Sequence, residues 1–139
     1  MNYLLDTNAA IAVLRNRQRR VRERLRTVLA GRAAVAISAV VLFELHYGVA
    51  RSWHQRENTE RLRAFLSGQI DIVLFEAADA EIAGVLRARL EAGGTPIGPY
   101  DLLIAAQGLR TGMTVVTANV GEFARVPDLR IEDWSIPEA

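Results

Sequence analysis

The feature that most constrains this chain is a regular alternation of short apolar runs with longer stretches of helical periodicity. Residues 3–5, 34–37, 70–75, 113–117 and 129–131 read as strands, too short and too continuously apolar for amphipathic helices. Between them, residues 8–15, 18–30, 38–52, 55–66, 77–92 and 99–112 read as helices, with a further helical turn at 120–123. In the 18–30 segment, Val21, Leu25, Val28 and Leu29 fall at i, i+4, i+7 and i+8, an amphipathic stripe. Gly31, Ser67-Gly68, Gly93-Gly94 and Gly112 stand where helices should stop, and Ser38 and Pro99 where two should start. Such alternation specifies an α/β layer fold with a mainly parallel central sheet. With 139 residues and no linker, internal repeat or low-complexity tract, residues 1–139 are expected to form one domain.

Composition narrows the chemistry through what is missing. There is no cysteine, which excludes disulfides, thiolate nucleophiles and thiolate zinc sites. All 17 basic residues are arginine. A P-loop needs its lysine on the phosphates, and Schiff-base catalysis needs a lysine amine. His46 and His54 lie two helical turns apart if helical, too far to share a metal. No apolar run reaches the ~18 residues of a membrane span. The longest, 33–43, contains Ser38 and stops at Glu44. The N-terminus has no basic leader and carries Asp6 early, so no export signal and no membrane partner are expected, and the cytoplasm is the expected compartment. The formal net charge of +1 favours no partner class.

In open α/β sheets, ligands bind beyond the carboxyl ends of the strands. Acids occupy that position repeatedly here. Asp6 follows strand 3–5, and Glu44 lies in the second turn after strand 34–37. Asp101 is in the first turn after Pro99, and Asn119 and Glu122 follow strand 113–117. Each has a local alternative. Asp6 reads equally as an N-cap worth ~1 kcal/mol, Asp101 as a partner for a helix dipole, and Asn119 with Glu122 as a capping box. Glu44 fits a local role least, because it interrupts the apolar stretch "SAVVLFELHYGVA" and an unpaired buried carboxylate is costly. Hard oxygen donors without cysteine or a histidine pair suit Mg²⁺ or Mn²⁺. Two such ions held ~3.5–4 Å apart are a standard arrangement for phosphodiester hydrolysis.

"LLDTN", "SAVVLFELHYGV", "GPYDLLIAAQGLRTGMTVVTANVGEF" and "VPDLRIEDW" together resemble the PIN-domain ribonucleases, and among them the VapC-type toxins of toxin–antitoxin pairs. The resemblance runs over nearly the whole chain. It implies a three-layer α/β/α sandwich and a Mg²⁺- or Mn²⁺-dependent endoribonuclease leaving 5′-phosphate and 3′-hydroxyl ends. By motif, Asp6 and Asp101 would be primary metal ligands and Glu44 the third acid. The fourth position falls to Glu122 or Asn119, with Glu122 favoured because a neutral Asn119 adds no charge. Thr7, Asn8 and Thr117 would be supporting hydrogen-bonders. The resemblance also implies an RNA substrate, a homodimer and a cognate antitoxin, with the apolar-rich region 40–66 as its groove. A PIN-like domain that binds RNA or a partner without cleaving is the alternative. The phosphatase and receiver families with an aspartate after the first strand also use a lysine, which this chain lacks.

Residues 15–32 hold eight arginines against one acid, Glu23. Arg15, Arg19, Arg22 and Arg26 would share one face if the helix were continuous. That face is either a solvated surface or, equally, an RNA-binding one. Trp53 and Trp134 read as core or interface anchors as readily as RNA stackers.

Overall fold

The computed structural model describes residues 1–137. Its strands are β1 (Tyr3–Leu5), β2 (Val35–Ser38), β3 (Ile70–Val73), β4 (Thr114–Val116) and β5 (Ile131–Glu132). Its helices are α1 (Thr7–Leu14), α2 (Arg19–Ala30), α3 (Ala39–Ala50), α4 (Gln55–Ser67), α5 (Ala77–Ala92), α6 (Pro99–Thr111) and α7 (Val120–Phe123). The strands form one sheet in the order β3-β2-β1-β4-β5, and every pairing is parallel. The expected mainly parallel sheet is therefore wholly parallel among the described residues. With the right-handed crossovers that parallel sheets follow, this strand order puts α1–α4 on one face and α5–α7 on the other, the expected three-layer sandwich. Packing agrees: α1 touches α2, α3 and α4, while α5 lies along α6. Leu4, Leu5, Val35, Ile37, Val115 and Val116 fill the centre with at most 1% exposure, as strands covered on both faces must.

Register decides what happens at the carboxyl edge. Leu5 pairs with Ile37 on one side and Val116 on the other, and Val116 pairs with Glu132. The next residue of each strand then falls in one row: Ser38, Asp6, Thr117 and Asp133. Main-chain bonds carry the row onward, from Asp6 N–H to the Val116 carbonyl (3.0 Å) and from Thr117 N–H to that of Glu132 (2.9 Å). Two members also start helices. Asp6 Oδ1 accepts the Ala9 N–H at 2.8 Å and caps α1, and Ser38 Oγ accepts that of Val40 at 2.9 Å and caps α3. The cap and site readings of Asp6 describe the same carboxylate.

The continuous basic helix does not form. Asn16 adopts φ +54°, a left-handed conformation that no helix interior can continue. Helix α1 ends at Leu14 and α2 starts at Arg19, so Arg15 does not share a face with Arg19, Arg22 and Arg26. Arg19 is partnered by Glu23 at 2.8 Å on the exposed side of α2.

Helix α6 is pressed against the sheet through Gly108. A Cβ there would lie 2.9 Å from both Leu129 Cδ1 and Val115 Cγ2, inside any real contact. Gly108→Ala should therefore lower stability by about 1–3 kcal/mol through overpacking, read as a reduced denaturant midpoint at unchanged m-value.

Candidate active site

Three acids from three elements meet at the carboxyl edge. Asp6 leaves β1, Glu44 projects from the second turn of α3, and Asp101 sits in the first turn of α6. With Thr7, Asn8, Gly98 and Tyr100 they line an open cleft of about 250 Å³. Asp6 is 2% exposed, while Glu44 and Asp101 are half-buried. Thr7 Oγ1 donates to Glu44 Oε1 at 2.7 Å, tying the start of α1 to α3. The cleft lies beside β1, where the direction of chain crossover reverses, the usual ligand position in such sheets.

Glu122 and Asn119 stand at the rim of this group. Glu122 Oε1 accepts the Gly98 N–H, and Glu122 Oε2 accepts from Asn119 Nδ2 at 2.6 Å. No capping box forms: the Asn119 side chain makes no cap bond, and its own N–H is held by Thr117 Oγ1 at 2.9 Å. A Cβ on Gly98 would lie 3.3 Å from Glu122 Oε1 and 3.8 Å from Asp101 Oδ2. Gly98 thus sits close against both carboxylates, and its missing side chain keeps the cleft open.

The electrostatics follow from crowding. Burial pushes the Asp6 carboxyl above its ordinary value; the Thr117 hydroxyl and the Ala9 N–H oppose this, while Glu44 and Asp133 add to it. Asp101 is raised to about 6, first by burial and then by the charges of Glu122, Asp6 and Glu44. Among the described residues, no three acids stand close enough together to grip a single ion. The donors are nonetheless all oxygen and share one solvent-open cleft. That set fits a hard divalent cation, whose charge would relieve the same repulsion.

Two contributors escaped the sequence reading. Gly98 gave no signal beyond preceding Pro99. Asp133, which raises the Asp6 carboxyl, follows a strand of only two residues, Ile131–Glu132; the strand expected at 129–131 stops one residue short and left Asp133 out of the row. Glu44 is less buried than its apolar neighbours suggested, because α3 turns Phe43 and Tyr47 outward, at 53% and 57% exposure. Trp134 is buried at 4%, its ring 5.2 Å from that of Tyr3, and Trp53 is fully on the surface. The three arginines Arg19, Arg22 and Arg26 remain on α2, outside the cleft lining.

The chain matches the PIN domain family model over residues 3–129. It is 36% identical to the tRNA(fMet)-specific endonuclease VapC of Salmonella typhimurium, with 96% of this chain and 98% of that protein covered. It is 39% identical to Ribonuclease VapC2 of Rickettsia felis, at the same coverage of both chains. Among solved structures it resembles VapBC2 from Rickettsia felis bound to a promoter DNA fragment, with a TM-score of 0.90, 36% identity, and 96% of this chain and 99% of that one covered.

The raised carboxyl of Asp101 makes the site a source of instability. The folded protein keeps this proton at pH values where the unfolded chain has lost it, so stability falls as pH rises from about 4 to about 6. The cost persists at higher pH. In chelator at about pH 7.5, Asp101→Asn should be more stable than the wild type by about 1–2 kcal/mol, allowing for solvent screening. Near pH 3.5 the two should unfold together. Thermal unfolding at the two pH values checks this.

Proposed function

Because this chain belongs to the PIN-domain family, and within it to the VapC ribonuclease toxins, we propose that Asp6, Glu44 and Asp101 are the acids of its RNA-cleaving site. The chain is the endoribonuclease toxin of a toxin–antitoxin pair. The observation that carries the assignment is the meeting of these three carboxylates, from β1, α3 and α6, around one cleft at the sheet edge.

Asp6 and Asp101 would hold Mg²⁺ or Mn²⁺, with Glu44 completing the donor set and Glu122 as the fourth acid. Such an ion, when bound, lowers the pKa of water and neutralises charge building on the phosphoryl and the leaving 3′-oxygen. The rest falls to the chain itself. The Ala9 N–H and the Thr117 hydroxyl stabilise Asp6 in its ionised form and fix its orientation. Thr7 holds Glu44 toward the cleft. Asn119 and the Gly98 N–H grip both oxygens of Glu122, which orients it as a fixed negative charge beside Asp101. Asn8 lines the cleft as a neutral donor that a phosphate oxygen can meet. Arg19, Arg22 and Arg26 on α2 supply cationic surface for the RNA backbone.

The tRNA(fMet) specificity of the Salmonella typhimurium relative makes initiator tRNA the first substrate to assay. The apolar-rich region 40–66 is the surface proposed for the antitoxin, where α3 and α4 meet α1 around a small hollow flanked by Arg15, Glu44 and Arg61. A homodimer is supported by the outward face of Phe43, Tyr47 and Tyr100, an exposed aromatic group in which Phe43 and Tyr100 stack edge to face at 5.8 Å. Tyr47→Glu on that face should leave a monomer in light scattering.

Asp6→Asn and Asp101→Asn should each reduce RNA cleavage by more than about a hundredfold, as loss of charge at a metal and transition-state site does. Asparagine also caps helices well, so the fold should survive, as circular dichroism would verify. Mn²⁺ should raise the melting temperature of the wild type and leave that of Asp101→Asn nearly unmoved. Cleavage at the wild-type rate in either variant, or full activity in EDTA, would overturn the assignment.

A further inference from the structure

We propose that the hollow bounded by Asn8, Gln18 and Asp133 is a nucleobase subsite of the nuclease, taking a base beside the scissile phosphate and preferring one with an exocyclic amine over uracil. The inference rests on the ribonuclease reading above and adds a specificity-determining site to it.

Position is the first argument. Asp133 stands in the same row as Thr117 and Asp6, one strand further along the carboxyl edge, and parallel register directs these side chains to one face. That face is the α1–α2 side, where Asp6 caps α1. The hollow there measures about 160 Å³, room for several waters at ~30 Å³ each and for one flat heterocycle. Asn8 lines both this hollow and the acidic cleft, so the two are neighbours across a single side chain.

Chemistry is the second argument. Ala12, Val21 and the buried Trp134 give an apolar floor, and Asn8, Gln18 and Asp133 a polar rim. A nucleobase has the matching form, an apolar ring with hydrogen-bonding edges. Asp133 is fixed in advance: its Oδ1 accepts the Ser135 N–H at 2.8 Å and the Ser135 hydroxyl at 2.5 Å. Its Oδ2 meets no protein donor among the described residues. A carboxylate repels RNA phosphates, so on an RNA-binding surface it is suited to a base edge that donates. Adenine, cytosine and guanine present an amino group; uracil presents only its ring N–H between two carbonyls.

Continuity is the third. Asp133 and Trp134 also line a larger hollow of about 520 Å³, bordered by Arg20 and Glu23 of α2 and by the pair of Arg24 with Glu132 at 3.5 Å. A strand leaving the acidic cleft past Asn8 would seat its base against Asp133 and bring its next phosphate to Arg20. The negative group reads the base and the positive group holds the backbone.

The test is cleavage of a randomised single-stranded RNA library in Mn²⁺ by wild type, Gln18→Ala and Asp133→Asn, with sequencing of product ends. Gln18 is exposed, so its variant retains the fold. Wild type should disfavour uracil at one position flanking the cut by about tenfold, the lower end of the scale for one hydrogen bond to a charged group. Both variants should flatten that position to under about twofold while preferences elsewhere hold. An unchanged flanking preference in both variants, or none in the wild type, overturns the subsite while leaving the nuclease standing. No Mn²⁺-dependent product from the wild type, on either this library or initiator tRNA, overturns the ribonuclease reading itself.

Discussion

The site depends on parallel register before it depends on any single acid. With Leu5 level with Ile37 and Val116, and Val116 level with Glu132, all four strands end together. A slip of one residue at β1 would turn Asp6 to the opposite face and drive Leu5 out of the core. Register is fixed because both faces are covered by helices and the strands are apolar throughout. The precision of the edge is inherited from core packing, and the polar row of Ser38, Asp6 and Thr117 can be nearly fully buried only because each member finds a partner at a helix start or a neighbouring strand.

Against this rigid edge the acids are in tension. Asp6 is held by the sheet and by its cap, whereas Asp101 comes from the opposite layer on a helix that Gly108 lets lie close to β4. Two layers therefore push like charges toward one cleft, and the strain appears as carboxyls that hold their protons above the usual range. Structural ion pairs elsewhere behave differently. Asp79, wholly buried, is met by Arg110 at 3.1 Å and also binds the Glu76 N–H at 2.8 Å, so its charge is balanced within the protein. The contrast separates an acid whose charge is met within the fold from acids that face only one another's charge across the cleft.

The strands, helices and α/β architecture were legible in the sequence because short apolar runs, periodic stripes and glycine stops agree with one another. Asp6, Glu44 and Asp101 were legible as strand-exit acids for the same reason. The gap between helices 8–15 and 18–30 was legible; Asn16 at φ +54° makes it, so the face conditional on a continuous helix does not join Arg15 to Arg19, Arg22 and Arg26. What escaped notice was non-local or masked. The apolar string around Glu44 implied burial, but periodicity cannot distinguish a face turned to the core from one turned to a partner, and Phe43 and Tyr47 point outward. The spacing of Asn119 and Glu122 suits a capping box, yet the Gly98 N–H from a distant loop takes the carboxylate instead. Asp133 follows a strand too short to give a period at all.

Asp6 closes the first turn of α1 with the same carboxylate that faces the cleft. On the role proposed for Asp6, catalytic decay in such a protein would be channelled by that double use. Most replacements at this position would fray a helix that packs on three others and be removed for instability. Asparagine, which keeps the shape of aspartate as well as its cap, discards only the charge. A lineage drifting from nuclease to silent binding domain would have an open exit through that one exchange, and relatives that carry it would retain the same edge, row and groove around a site that no longer cuts.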